Sequence, residues 1–520
     1  KEPAAQLWET LLEYKADKWR LIINGGHITG NNLDNGTQKP HRAGFDKAAV
    51  TWFYIAALAA AFALRSVLAI YTEGHPIDVG TFKAWAVRAA TVGLGGFYSE
   101  DVFADYPPGY VYIFYLIGKI KNAISLTDAS KSFLLLIKLP SMITDIAAAH
   151  IVFLMARRNF SKAAAATLAL AYALNPAILV NCAVWGQVDS VFSLCVLVFI
   201  TLIAQGRLNA GAAAFAVAVL VKPQGLIFTP ILIFALSRVS LNNAAAAVGL
   251  AVTVFTAAIL PFTINKAPLW IFKHYYTTLS SYPYASLNAF NLHALMGGNW
   301  APVTDRVLGV TYEFWGYMFI ALAVGLCAFI FYKKKDTATD TAGMYWFIST
   351  VLITSAFVVS TRMHERYLFA GLVLLLICYI NIRDKRLLYL YAFVSVTFFI
   401  NEAYVLYYGM KELYHIDTYD VVVEIVSAAH VGVLVYLIKL GCDIYIRKPM
   451  PAAAAVINAP PLPPTLSLAG KDYAAIAIIT LFNLAVMYYG IGCSKAPETF
   501  WSSAEGQRSL WADLGRQQNL

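Results

Sequence analysis

"VVSTRMHERYLFAGLVLLL" (residues 358–376) sets Arg362, His364, Glu365 and Arg366 between two apolar runs. An ionised side chain is costly inside a bilayer, so such residues in a membrane protein sit at a surface or face a cavity. The apolar runs on either side are the first of a long series. If they cross a membrane, the four ionisable groups mark the point where the chain turns at its surface.

Composition supports that reading. Of 520 residues, 59% are hydrophobic and 13% are charged. Soluble domains carry roughly 25% charged residues. The net charge of +9 comes from Lys and Arg in short turns between apolar runs. That pattern fits membrane topology and excludes nucleic acid as a partner. The six cysteines lie in or beside apolar runs with no CxxC pair, as small core residues do.

Apolar spans are expected at about 50–71, 138–156, 163–182, 189–205, 209–221, 224–237, 243–262, 313–332, 342–360, 367–382, 387–402, 420–440 and 473–491. Thirteen spans from an inside N-terminus put all six basic turns on the cytoplasmic side: 156–162, 205–209, 236–239, 332–336, 382–386 and 446–449. The predicted class is an all-α polytopic membrane protein.

The expected parts are an interfacial N-terminal segment (1–49), a transmembrane domain (50–446), a Pro/Ala-rich cytoplasmic linker (447–472), a last span (473–491) and an outer tail (492–520). The N-terminal segment reads as an amphipathic surface helix or a poorly ordered tail. The first outer loop, 72–137, is long enough to be functional. Its run "GYVYIFYLIGKI" (109–120) reads as a helix on the outer surface, since a span there would invert every later basic turn.

Three outer clusters carry polar chemistry. Asp78 follows the first span and precedes an amphipathic helix with Phe82, Trp85 and Ala89. "DYPPGY" presents Asp105 and Tyr106 on a turn stiffened by Pro107 and Pro108. "TRMHER" supplies Arg362, His364, Glu365 and Arg366. Lys222 at a span break and Gln187 and Asp189 in "VWGQVDS" add further outer-end groups. Taken singly, these read as a cap, a helix start and snorkelling interfacial residues. Together they place acids beside cations on one face, which suits an anionic lipid headgroup. If Arg362, His364 and Arg366 are to meet one phosphate, their segment must be non-helical. The aromatic outer loop 263–312 reads equally as a lid over such a site or as an interfacial anchor.

The order of these motifs resembles the GT-C glycosyltransferases, most nearly those using polyprenyl-phosphate sugars, such as the dolichyl-phosphate-glucose-dependent glucosyltransferases. "WGQVDS" and "HERYLF" look like prokaryotic relatives of these. The resemblance covers roughly residues 50–400. It implies a GT-C fold and transfer of a hexose to an acceptor at the extracytoplasmic face. By position, Asp78 matches the catalytic base, Asp105 the acid of the DYPP motif, His364 the lipid-phosphate ligand and Lys222 the cationic residue of the Lys-Gln motif. Arg362 and Arg366 are further phosphate ligands, with Tyr106, Gln187, Asp189 and Glu365 as substrate-binding groups.

A lipid phosphate leaves as a stable anion, so one general base suffices and inversion is expected. Glycosidases, in contrast, need two carboxylates. The implied acceptor is a saccharide, a cell-envelope polymer or a protein. The implied location is a prokaryotic plasma membrane with the site outward, or an endoplasmic reticulum membrane with the site lumenal. No cofactor is expected; Asp101 and Asp105 are a weak Mg²⁺ or Mn²⁺ pair, and no zinc spacing is present. The tail "KAPETFWSSAEGQRSLWADLG" resembles the start of a discoidin-like β jelly roll.

The alternatives are a transporter or flippase of a lipid-linked saccharide and an inactive assembly subunit. A transporter should carry ionisable groups within its spans, and here they are expected at the outer span ends.

Overall fold

The computed structural model describes residues 41–99, 102–333 and 341–447. The N-terminal amphipathic segment, Asp101, the linker, the last span and the tail lie outside these residues.

The described chain is mostly helical, and its longest helices match the apolar runs. Seven helices are long and apolar enough to cross a membrane: Ala49–Tyr71, Lys131–Ala156, Leu241–Phe262, Tyr312–Lys333, Ala342–Val359, Lys385–Gly409 and Val421–Arg447. An eighth candidate is the pair Lys162–Ala173 and Pro176–Trp185, bent by 45°. The run expected as one span at 163–182 is therefore broken. Asn175 caps the new helix at Pro176, and Val180–Trp185 widens into a π-helical turn ending at Gly186. Four shorter apolar helices follow the expected runs: Asp189–Ala204, Leu208–Val221, Pro223–Leu236 and Phe369–Ile382.

A helix of 14 residues rises about 21 Å, less than a ~30 Å hydrocarbon core. Phe369–Ile382 is enclosed by protein, its residues from Phe369 to Ile380 all buried. The backbone before it, 360–368, is non-helical and lines a cavity, the setting in which irregular chain is tolerated at membrane depth.

Among the described residues, several basic turns meet neighbouring turns at helix ends. Arg383 donates to Asn159 Oδ1 (2.9 Å), Arg386 pairs with Asp443 (2.9 Å), and Arg238 donates to the Phe331 carbonyl (3.2 Å). At the other helix ends lie α1 (Pro76–Val92) and α2 (Pro108–Ala123). The helix α2 is the run read as a surface helix. It packs Tyr110, Val111, Phe114 and Ile117 inward, and Gly118 lets it approach α1 so closely that a Cβ would overlap the Ala86 carbonyl.

Two expectations are corrected here. First, the spans themselves carry buried ionisable groups. Arg65 Nε lies 3.5 Å from Asp145 Oδ2, both with no exposure, between the helices Ala49–Tyr71 and Lys131–Ala156. Lys138 Nζ is buried among carbonyls, donating to Thr72 O (2.7 Å) and Ala183 O (2.9 Å). These are snug contacts between packed helices, which a one-dimensional reading of apolar runs does not reveal.

Second, the loop 263–312 is not a lid as a whole. Residues 285–291 are buried. Their backbone is fixed by Leu287 N to Met363 O (2.9 Å), Phe290 N to Asn401 Oδ1 (3.1 Å) and His430 Nδ1 to Phe290 O (2.7 Å). A buried loop needs such partners for its polar groups. The preceding helix α3 (Trp270–Ser280) keeps Phe272, Tyr276 and Leu279 exposed, as an interfacial anchor would.

Candidate functional site

The chain between the first span and α1 is set by Gly74, whose φ of 89° and contact with the Trp185 carbonyl leave no room for a Cβ. His75 caps α1, Pro76 opens it, and Asp78 stands in its first turn, where the helix end favours a negative charge. Asp78 Oδ2 accepts from Trp185 Nε1 (2.7 Å) and Gln187 Nε2 (2.6 Å), with His75 Nδ1 at 3.4 Å. Among the described residues every one of these contacts falls on Oδ2. Oδ1 takes part in none of them.

Asp78 lines a cavity of about 960 Å³. The same cavity is lined by Asp105, Tyr106, Lys222, Arg362, His364, Glu365 and Arg366, so eight of the ten candidate residues meet there. The other two lie behind its wall. Gln187 is fully buried and holds Asp78; Asp189 is buried and holds Lys222 Nζ at 2.5 Å.

The segment 360–368 is non-helical, so helical spacing does not set the directions of Arg362, His364 and Arg366. Arg362 has φ +60°, and its amide donates to Tyr284 O (3.0 Å). Its guanidinium pairs with Glu313 (3.0 Å). His364 bridges Leu287 and Asn288, which fixes its backbone against the buried loop. Arg366 donates to Glu365 Oε1 at 2.6 Å, so Glu365 holds an arginine in place. The DYPP turn is held from α3: Thr278 Oγ1 donates to Asp105 O (3.0 Å), and His274 Nε2 lies 3.2 Å from Tyr106 O. Lys222 Nζ stands over the Tyr106 ring at 5.6 Å.

Electrostatics separate the two acids. For Asp78, burial favours protonation, but His75, Arg366, the Trp185 hydrogen bond and His364 outweigh it and hold the carboxyl below its ordinary value. For Asp105, burial prevails over Arg366, and Asp78 adds repulsion, so its carboxyl rises to about 6. Burial, then Arg366, push the His364 imidazole well below its usual range.

Sequence reasoning missed His75 and Trp185, which touch Asp78, and Trp300, Tyr414 and His415, which line the cavity. His75 stacks on Trp185 with ring centroids 5.1 Å apart. The signal for Trp185 was its place in "VWGQVDS", beside Gln187. No group of three or more metal-ligating side chains occurs among the described residues, and Asp101 of the Asp101–Asp105 pair lies outside them.

No protein-family model matches the chain, and no curated protein matches it. The functional reading therefore rests on the cavity itself.

Proposed function

We propose that the protein is a GT-C-type membrane glycosyltransferase that moves a hexose from a polyprenyl-phosphate sugar to an acceptor hydroxyl. The observation that carries this reading is the convergence of Asp78, His364 and Arg366 on one cavity, at the helix ends opposite the basic turns. In this reading the four shorter apolar helices also cross, and 473–491 completes thirteen spans. The positive-inside pattern then turns the cavity outward or to the lumen.

The chemistry is a single displacement. Asp78, kept ionised, accepts the proton of the acceptor hydroxyl. The hydroxyl oxygen bonds to the anomeric carbon from the face opposite the phosphate. The anomeric C–O bond breaks, and its electron pair leaves with the lipid phosphate. Arg366, Arg362 and Lys222 stabilise that anion, and His364 hydrogen-bonds it. The product is inverted.

The buried Arg65–Asp145 pair is what a transporter reading would cite. It favours that reading weakly, because both side chains are packed away from the cavity.

The test is turnover. Purified full-length protein in lipid is given a panel of polyprenyl-phosphate hexoses with saccharide, polymer and peptide acceptors, and free polyprenyl phosphate is measured. Release that requires acceptor and disappears in Asp78→Ala, with donor binding retained, supports the reading. Absence of release with every pairing overturns it.

A further inference from the structure

The cavity has one wall that the phosphate chemistry leaves unused. Trp300 stacks on His415 with ring centroids 4.0 Å apart and planes 28° from parallel. Tyr414 packs against His75 at 5.8 Å, and His75 adjoins the Trp185–Asp78 contact already described. The rings thus lead from Trp300 to the carboxylate of Asp78.

This wall is built rigidly. Asn288, 5% exposed, accepts from Trp300 Nε1 at 2.8 Å and donates to Tyr414 O at 2.7 Å. One amide therefore bolts two segments more than 110 residues apart. The indole is fixed before anything binds, which removes an ordering cost. His415 is exposed, and the adjoining Glu412 is exposed and lines the same cavity.

We propose that this wall is the acceptor subsite and that the acceptor is a neutral saccharide. The inference deepens the transferase reading and rests on it. Flat aromatic faces edged by polar groups match a pyranose ring, whose C–H face is apolar and whose rim carries hydroxyls. Among the described lining residues from 405 to 415, with Trp300 and Asn288, there is no Lys or Arg to receive an acidic sugar, and Glu412 repels one. A peptide acceptor would look for a sheet edge to pair with. The backbone here is already engaged: Asn299 Nδ2 donates to Ile416 O at 2.8 Å, and Ala285 N to Ala301 O at 2.7 Å.

The experiment uses full-length protein in detergent micelles. Probes are neutral manno- and gluco-trisaccharides, a uronic-acid trisaccharide and a hexapeptide. Binding is read by saturation-transfer NMR and tryptophan fluorescence, separately from turnover. The expected result is binding of a neutral trisaccharide, weakened about fivefold in His415→Ala and about tenfold in Trp300→Leu. Affinity for polyprenyl phosphate should stay unchanged in both. His415 is exposed, so His415→Ala keeps the test open if Trp300→Leu fails to fold. Equal or tighter binding of the uronic-acid probe or the peptide overturns the proposal. So does neutral-sugar binding that neither variant weakens, or no neutral-sugar binding by folded wild type. Sugar binding that depends on Trp300 and His415 but comes without turnover upholds the subsite and counts against the transfer step. Turnover whose acceptor KM is unmoved in both variants upholds transfer and overturns the subsite.

Discussion

Gln187 donates its side-chain amide to Asp78 Oδ2 at 2.6 Å across 109 positions of sequence. Together with Trp185 it saturates one carboxylate oxygen and leaves the other to the cavity. An asparagine at position 78 keeps one oxygen for Trp185 and Gln187 but loses the base. Asp78→Asn is therefore expected to fold, to bind donor at least as tightly as wild type, and to lose roughly 10²–10⁴-fold in transfer. Lipid-phosphate release alongside equilibrium donor binding checks this. Activity above about a tenth of wild type would remove Asp78 from the base role.

The same hydrogen bond tunes the base. It favours the ionised form, so its loss raises the Asp78 pKa. In Gln187→Leu the acid limb of kcat/KM should move to higher pH, because the base protonates sooner as pH falls. The alkaline side should be less affected. A pH–rate profile that drops uniformly, with no displaced limb, would assign Gln187 a packing role alone.

Asp105 supplies a second pH effect of opposite consequence. Its carboxyl titrates at about 6, so it is neutral below that value and adds a negative charge above it. A polyprenyl-phosphoryl hexose is a diester and keeps one negative charge throughout. Donor affinity should fall as pH rises from roughly 5 to 7.5, by about 1 kcal/mol or fivefold. A bound anion raises the Asp105 pKa further, which moves the transition upward. In Asp105→Asn the dependence should flatten, which isothermal calorimetry across that window would show.

The helices were legible because apolar runs have few alternatives. The ends of those runs were less so. The helix beginning at Lys131 starts in the polar stretch "SLTDASKS", where Ser130 caps it, and the last turns of Lys385–Gly409 include Asn401 and Glu402, which face protein rather than lipid. The candidate site was legible from shared placement: Asp78, Asp105 and the 362–366 cluster each lie in or beside a connection between apolar runs. The wall at 284–302 was not legible. In sequence it reads as a lid or an interfacial anchor, yet Asn401 and His430, more than 100 residues away, satisfy its backbone. No local pattern encodes partners at that distance.

Arg65 and Asp145 decide between the transferase and transporter readings. Arg65 also donates to Ala173 O at 2.6 Å and Ala61 O at 3.1 Å, so its charge is locked into three helices. Replacing one partner strands a buried charge, and Arg65→Leu or Asp145→Leu should each destabilise the protein by about 3–5 kcal/mol. Replacing both removes the charges together, so Arg65→Leu with Asp145→Leu should recover much of that loss. Detergent thermal unfolding of the four proteins closes the cycle. Function separates the readings further. A transferase whose chemistry lies in the Asp78 cavity should keep near wild-type lipid-phosphate release in the double variant. A transporter that moves protons or substrate past this pair should lose its activity in all three variants, stability notwithstanding. Loss of release in a stable double variant would therefore place function inside the helices rather than at their ends.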